Sequence, residues 1–256
     1  MNERTTKLRQ ESLDAIPSLS AERAELITAF YRQNAGKFSV PVMRAKAFQH
    51  LCEHKTLWLG EGELIVGERG PRPKAVPTYP ELTCHSEEDL RILDSRPMTS
   101  YKVDAAMIKG YAAEIIPYWD GRSLRDQIFQ ELPQEWKDAY GAGVFTEFME
   151  QRAPGHTVLD DKIYTRGLKD FLGDIARSEA ALDFELDSEA LDKREQLKAM
   201  AIACKALIRF AERHADLAQG LALVESDSNR QSELRNIAEV CRRVPAEAPR
   251  DFQEAL

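Results

Sequence analysis

The sequence has no run of about eighteen uncharged apolar residues, so no segment of it reads as a membrane-spanning helix. Met1 to Gln10 carries Glu3, Arg4, Lys7 and Arg9 where a signal peptide would be apolar. Together these absences point to the cytoplasm. An excess of positive charge is missing too: 35 Lys and Arg stand against 43 Asp and Glu in 256 residues, a net charge of −8. Phosphate binding depends on clustered basic side chains, so this balance argues against nucleic acid and anionic membranes as partners. Cysteine is scarce. Cys52, Cys84, Cys204 and Cys241 form no C-x-x-C pair and no Cys/His zinc spacing, and without a secretory signal they are expected as reduced thiols. The sequence also lacks a P-loop, a G-x-G-x-x-G and a G-x-S-x-G, and Gly141-Ala-Gly143 has no strand before it. No nucleotide site and no metal site is therefore expected.

What is present is mostly helix. Ser20 can cap a segment whose Leu26, Ile27, Phe30 and Tyr31 share a face, ending near Gly36. Pro41 suits a first helical turn, and Val42, Ala45, Phe48 and Cys52 form a stripe up to about His54. Thr56 to Leu59 and Glu63 to Val66, separated by Gly60-Glu-Gly62, read as a small hairpin or two short strands. Further helices are expected at about Glu87–Leu93, Asp104–Ile116, Ser123–Glu131 and Ile163–Ala176, the last capped by Asp160-Asp161. Leu197, Met200, Ala201, Cys204, Leu207, Ile208, Ala211, Ala215 and Ala218 recur at three- and four-residue steps, which predicts a long helix buried on that face. Its hairpin partner runs from about Ser228 to Cys241, with Leu234, Ile237, Ala238 and Cys241 inward. Asp251 is placed to start one more helix, and Phe252, Ala255 and Leu256 have only begun its apolar face at the last residue, so a longer polypeptide is expected.

Chemistry is sparse. In Arg152-Ala-Pro-Gly-His-Thr157 the Pro and Gly impose an irregular loop before His156, the side chain type best able to move a proton near neutral pH. On residue type alone a loop His such as His156 is more often a structural hydrogen-bonding residue than a catalytic one, and Phe148, which could wall a pocket, is more often core. Cys84 and His85 are adjacent and point apart in an extended segment, which argues against a nucleophile pair. His50 and His54 are one helical turn apart without a third ligand, and are expected on a solvated face.

Several stretches in order carry a resemblance over nearly the whole chain: Val40-Pro-Val-Met-Arg-Ala-Lys-Ala-Phe48, Gly62-Glu-Leu-Ile-Val-Gly-Glu68, Glu114-Ile-Ile-Pro-Tyr-Trp119 with Gly121-Arg122, and Ile237 to Pro245 running into Pro249-Arg-Asp-Phe-Gln-Glu-Ala-Leu256. The chain resembles the N-terminal part of the glycyl radical enzymes of the pyruvate formate-lyase-like group. Within the group, Thr78-Tyr-Pro-Glu-Leu-Thr-Cys-His85 and Phe145 to Val158 look most like the branch that dehydrates trans-4-hydroxy-L-proline.

The resemblance implies a mainly α fold with a few short strands, the N-terminal helical part of a ten-stranded α/β barrel. Residues 1–256 would be one piece of a single domain, ending before the catalytic cysteine and radical glycine loops. It implies that Phe148 and His156 line the substrate pocket, with His156 catalytic at the hydroxyl that leaves. No cofactor is implied within this chain, and none of its four cysteines matches the catalytic one. The glycyl radical would lie beyond residue 256, installed by an activating enzyme that uses S-adenosylmethionine and an iron-sulfur cluster. The implied partners are that activase, a small-molecule substrate and a second copy of the full-length chain. Isethionate sulfite-lyase, choline trimethylamine-lyase and diol dehydratases share the same shell, so a different C–O, C–N or C–S substrate is an alternative. A non-catalytic helical binding protein is another. The chain alone is expected to be inactive.

Overall fold

The computed structural model describes residues 2–145 and 160–256. Its elements run α1 (Glu3–Asp14), β1 (Ser18–Ser20), α2 (Glu22–Asn34), α3 (Val40–His54), β2 (Ala75–Pro77), α4 (Glu87–Ser95), α5 (Ala105–Gly110), a π-helical turn (Tyr111–Ile115), α6 (Ile116–Trp119), α7 (Leu124–Glu131) and α8 (Gln134–Gly141). After residue 160 come α9 (Lys162–Thr165), α10 (Leu168–Ala180), α11 (Ala190–Val224), α12 (Ser228–Arg243) and α13 (Phe252–Ala255). The mainly helical expectation is met. The chain divides into two compact units: one from the chain up to Ala15, from Ala29–Pro73 and from the stretch after residue 157, the other from Ile16–Thr28 and from Lys74 to residue 157.

The first unit is built on α11, which spans 35 residues. Apart from His214, its buried positions are small ones: Ala190, Ala199, Ala206, Ala215, Ala218 and Ala222. Small side chains let neighbouring helices approach closely. Ala199 packs on Val42 and Ala45 of α3, while Ala215 and Ala218 pack on Ile237, Ala238 and Cys241 of α12. The periodic stripe predicted this helix and its partner, but not which side is buried: Met200 and Leu207 remain 47% and 38% exposed. Arg213 reaches from α11 to the carbonyls of Cys52 (2.6 Å) and Lys55 (2.8 Å), satisfying backbone groups that the end of α3 leaves open.

Two expectations fail here for identifiable reasons. Residues 56–66 form no strand. The Glu63 carboxylate accepts from the Gly60 N–H at 2.8 Å, and Arg230 of α12 donates to the carbonyls of Glu63 (2.9 Å) and Gly60 (3.0 Å). Carbonyls that a hairpin would pair are thus taken by a guanidinium. The helix expected from Ile163 starts at Leu168 instead, after the separate short α9. Its first free N–H groups, of Leu168 and Lys169, donate to the carbonyls of Pro245 (2.8 Å) and Ala246 (3.0 Å). Gly167 permits this approach, because a Cβ there would lie 2.3 Å from the Ala246 oxygen. Asp161 precedes α9 but makes no side-chain capping bond.

The second unit contains the parallel pair β1–β2, with Ser18 opposite Ala75 and Ser20 opposite Pro77. Ser86 and Asp89 cap α4 reciprocally. The helix expected over Asp104–Ile116 continues to Trp119 through the π-helical turn. Pro117 accounts for the wide turn, since it has no N–H to donate and its ring would strike the preceding turn of a regular helix. Trp119 then donates its indole N–H to Thr28 at 2.8 Å, and the Thr28 hydroxyl donates to the Ala24 carbonyl at 2.6 Å.

Candidate functional site

The segment Thr78–His85 is held from two sides in the second unit. The Arg23 guanidinium lies 3.9 Å from the centre of the Tyr79 ring, donates to the Thr78 carbonyl at 3.2 Å and grips both oxygens of Glu81. Backbone N–H groups of Leu124 and Arg125, at the start of α7, donate to the carbonyls of Glu81 (2.9 Å) and Leu82 (3.0 Å). Thr78 is hydrogen-bonded to the Tyr111 hydroxyl at the head of the π-helical turn, and burial raises the phenol pKa well above its usual range. Tyr111 is therefore a neutral structural group.

Arg125 leads from this segment to a ring cluster. Its guanidinium sits 4.5 Å from the centre of Phe129 and 5.6 Å from that of Tyr140, and Nη2 donates to the Tyr140 hydroxyl at 3.4 Å. Phe129 meets Tyr140 edge-on at 4.9 Å, and Phe145 lies 5.8 Å from Tyr140 and 5.5 Å from Trp136. A tight turn after α8 makes this possible: Gly143, at φ +74°, donates to the Tyr140 carbonyl and Val144 to that of Ala139, each at 3.0 Å. Phe148 and His156 lie outside the described residues, which stop at Phe145 and begin again at Asp160.

The other side chains with possible chemistry have structural settings. Burial pushes the Cys84 thiol up to about 12, and its Sγ lies 3.8 Å from the His85 carbonyl. It is no thiolate nucleophile. The rings of His50 and His54 stack at 4.1 Å, with the His54 Nδ1–H donating to the His50 carbonyl at 2.8 Å. The solvated-face expectation is met only by His54, because His50 is half-buried against Phe30 and its pKa is lowered by that burial and by His54. Among the described residues no group of three or more His, Cys, Asp or Glu is placed to hold a metal ion.

Sequence reasoning passed over two buried polar residues in the first unit. His214 on α11 is buried, donates to the Phe210 carbonyl at 3.0 Å and has its pKa lowered by desolvation. Its neighbours Glu212 and Arg213 made it look like part of a charged back. Glu254 is buried with its carboxylate accepting from Arg250 Nε (2.7 Å), the Arg250 backbone N–H (2.6 Å) and Arg243 Nε (3.3 Å). The Arg250 hydrogen bond is the main reason its pKa falls to about 2. Both border an apolar groove of about 530 Å³ between α10, α11 and α12, lined also by Leu64, Phe171, Leu207 and Leu256.

The family model described as pyruvate formate lyase-like matches residues 1–256. The chain is 45% identical over 254 residues to trans-4-hydroxy-L-proline dehydratase of Clostridioides difficile, covering 99% of this chain and 32% of that protein. It is 31% identical over 253 residues to isethionate sulfite-lyase of Oleidesulfovibrio alaskensis, covering 94% and 30%. The crystal structure of the Clostridioides difficile hydroxyproline dehydratase with trans-4-hydroxy-L-proline bound superposes with a TM-score of 0.94, covering 100% of this chain and 32% of the other at 45% identity. The chain thus spans about a third of the length of the curated relatives it matches.

Proposed function

We infer, because this chain belongs to the pyruvate formate lyase-like family, that it is the N-terminal third of a glycyl radical dehydratase. The whole protein then removes water from trans-4-hydroxy-L-proline to give a pyrroline carboxylate. The observation that carries the substrate is the 45% identity to the hydroxyproline enzyme, against 31% to the sulfite-lyase.

The glycyl radical and its relaying cysteine, in the polypeptide after Leu256, supply hydrogen-atom abstraction at the carbon beside the C–OH. The thiols at hand suit other roles: Cys52 and Cys241 are buried, and Cys84 lies against a backbone carbonyl. This chain contributes a wall of the pocket. Loss of hydroxide from a carbon radical requires a proton at the departing oxygen, and His156 donates it. Phe148 packs against the pyrrolidine ring and keeps water from the reacting carbon. An activating enzyme using S-adenosylmethionine is the obligatory partner, the full-length protein is a homodimer, and the reaction runs in the cytoplasm.

The test is the full-length protein, activated anaerobically and offered hydroxyproline, isethionate, choline and 1,2-propanediol separately. Pyrroline carboxylate from the first supports the assignment. Turnover of one of the others replaces the substrate and keeps the family chemistry, and no turnover of any of the four at normal radical yield overturns the hydroxyproline assignment.

A further inference from the structure

The chemistry proposed above leaves one buried titratable group of the first unit unused. His214 is 3% exposed and its Nδ1–H donates to the Phe210 carbonyl at 3.0 Å, so the neutral ring holds its single proton there and a second must go to Nε2. The ring stands edge-on to Phe210, with centres 4.6 Å apart and planes at 88°. Lys55 lies over the same Phe210 ring, its Nζ 5.4 Å from the centre, and donates to the carbonyls of Arg69 (2.9 Å) and Glu68 (3.3 Å). Arg213, next to His214 on α11, donates to the carbonyls of Cys52 and Lys55 at the end of α3. Two cations thus tie the backbone at 68–69 to the end of α3 and the end of α3 to α11, and theirs are the charges that act on the imidazole. The other charged groups of the groove that His214 borders are already matched: Glu254 by Arg250 and Arg243, Glu247 by Lys169, and Arg166 by Asp174. Cys241 of α12 is neutral, since burial pushes its thiol up to about 11.

We propose that His214 is a proton-sensitive latch of the first unit: as a neutral imidazole it lets Lys55 and Arg213 hold the end of α3 against α11, and on taking a second proton it becomes a third cation in that corner and releases them. The sign follows from burial. Desolvation is the chief reason that the folded imidazole titrates below the usual 6.5, and Lys55 and Arg213 lower it further against the opposing pull of the Phe210 carbonyl. The stabilisation by the neutral ring is therefore complete above 6.5 and is lost as pH falls below that value. Opening of the corner lets water reach the ring and returns its ordinary affinity for the proton. Down to the folded pKa, each pH unit then multiplies the opening constant by about ten. The latch is separate from the dehydration chemistry and does not depend on the substrate.

The experiment is hydrogen exchange on the full-length protein, read by mass spectrometry at the helical amides of residues 51–55 and 210–218 and corrected for the intrinsic pH dependence of amide exchange. In the wild type the opening constant at both places should rise by up to about tenfold per pH unit from roughly pH 6.5 downwards. His214→Gln, which keeps a donor for the Phe210 carbonyl, should abolish that slope. His214→Phe, which fills a similar volume without a titrating nitrogen, should abolish it too and guards against misfolding of the Gln variant. His50→Gln removes the other imidazole of α3 whose pKa burial lowers, and should leave the slope in place. A flat wild-type profile overturns the proposal, as does a slope that both His214 variants keep or one that disappears with His50→Gln. Protection that increases as pH falls also overturns it, because the imidazole would then be paired with a carboxylate from the polypeptide after Leu256.

Discussion

In the proposed function the chemistry turns on His156, and the two roles open to it are separable in the activated full-length enzyme. An imidazole that only shapes a loop is replaced tolerably by Gln, which keeps bulk and hydrogen bonding. One that protonates the leaving hydroxyl is not: His156→Ala and His156→Gln should both lose about 10²- to 10⁴-fold in turnover per radical. Recovery in the Gln variant would return His156 to a structural role. Glu254 offers a second test, on stability. Its folded pKa of about 2 lies below the usual carboxylate value of 4.5, so the Arg250 and Arg243 contacts stabilise the fold fully above that value. That contribution is lost as pH falls from about 4.5 towards 2. Urea midpoints measured across this range should fall more steeply for the wild type than for Glu254→Gln, and parallel curves would show that the carboxylate is not the titrating group. Residue type pointed to His156 through its Pro-Gly loop but gave no sign of Glu254, because a Glu near two arginines reads as a surface pair until its burial is seen.

At the scale of elements, α11 inverts the usual assignment of large side chains to the interior. Ala218 is fully buried against α12 while Leu207 is 38% exposed. Ala218→Leu should therefore destabilise the chain by roughly 1–3 kcal/mol through overpacking, whereas Leu207→Ala should cost less than the 2–5 kcal/mol of a core truncation. Denaturant midpoints of the two variants decide it, and a larger loss for Leu207→Ala would mean that the buried face has been misplaced. The period of α11 and α12 was legible because three- and four-residue recurrence reports a helix wherever it packs. Facing was not legible, since Ala and Leu count equally as apolar in such a pattern. Residues 56–66 misled for a related reason: the short apolar runs Leu57-Trp-Leu59 and Leu64-Ile-Val66 meet strand criteria locally, and only Arg230, far along the chain, shows where the Gly60 and Glu63 carbonyls between them bond. The π-helical turn was foreshadowed by Pro117, a donor missing inside a helical pattern, although sequence alone reads that Pro as a helix end.

For the whole molecule, the proposed function makes the 256-residue chain a shell without its reaction centre. Incubated anaerobically with activase, S-adenosylmethionine and hydroxyproline, it should form no pyrroline carboxylate and no glycyl electron paramagnetic resonance doublet; turnover above background would contradict this. The groove beside α11, with Leu207 and Leu256 on its border, should bind a hydrophobic dye and favour self-association. A dye-negative monomer over a wide concentration range would show the groove closed. The division of the chain into units also bears on birth at the ribosome. The second unit draws only on residues 16–28 and 74–157, whereas the first brings Arg4 of α1 against Glu233 of α12. The second unit's residues are therefore all made before α12, whereas α1, which meets the 60–62 turn through Lys7 and Glu61, receives its Arg4–Glu233 contact only when α12 follows. At about 5–20 residues per second that interval is on the order of ten seconds. During it α1 is a largely polar rod held only at the 60–62 turn and open to nascent-chain chaperones and proteases, so a helix made early is among the last to be fully secured.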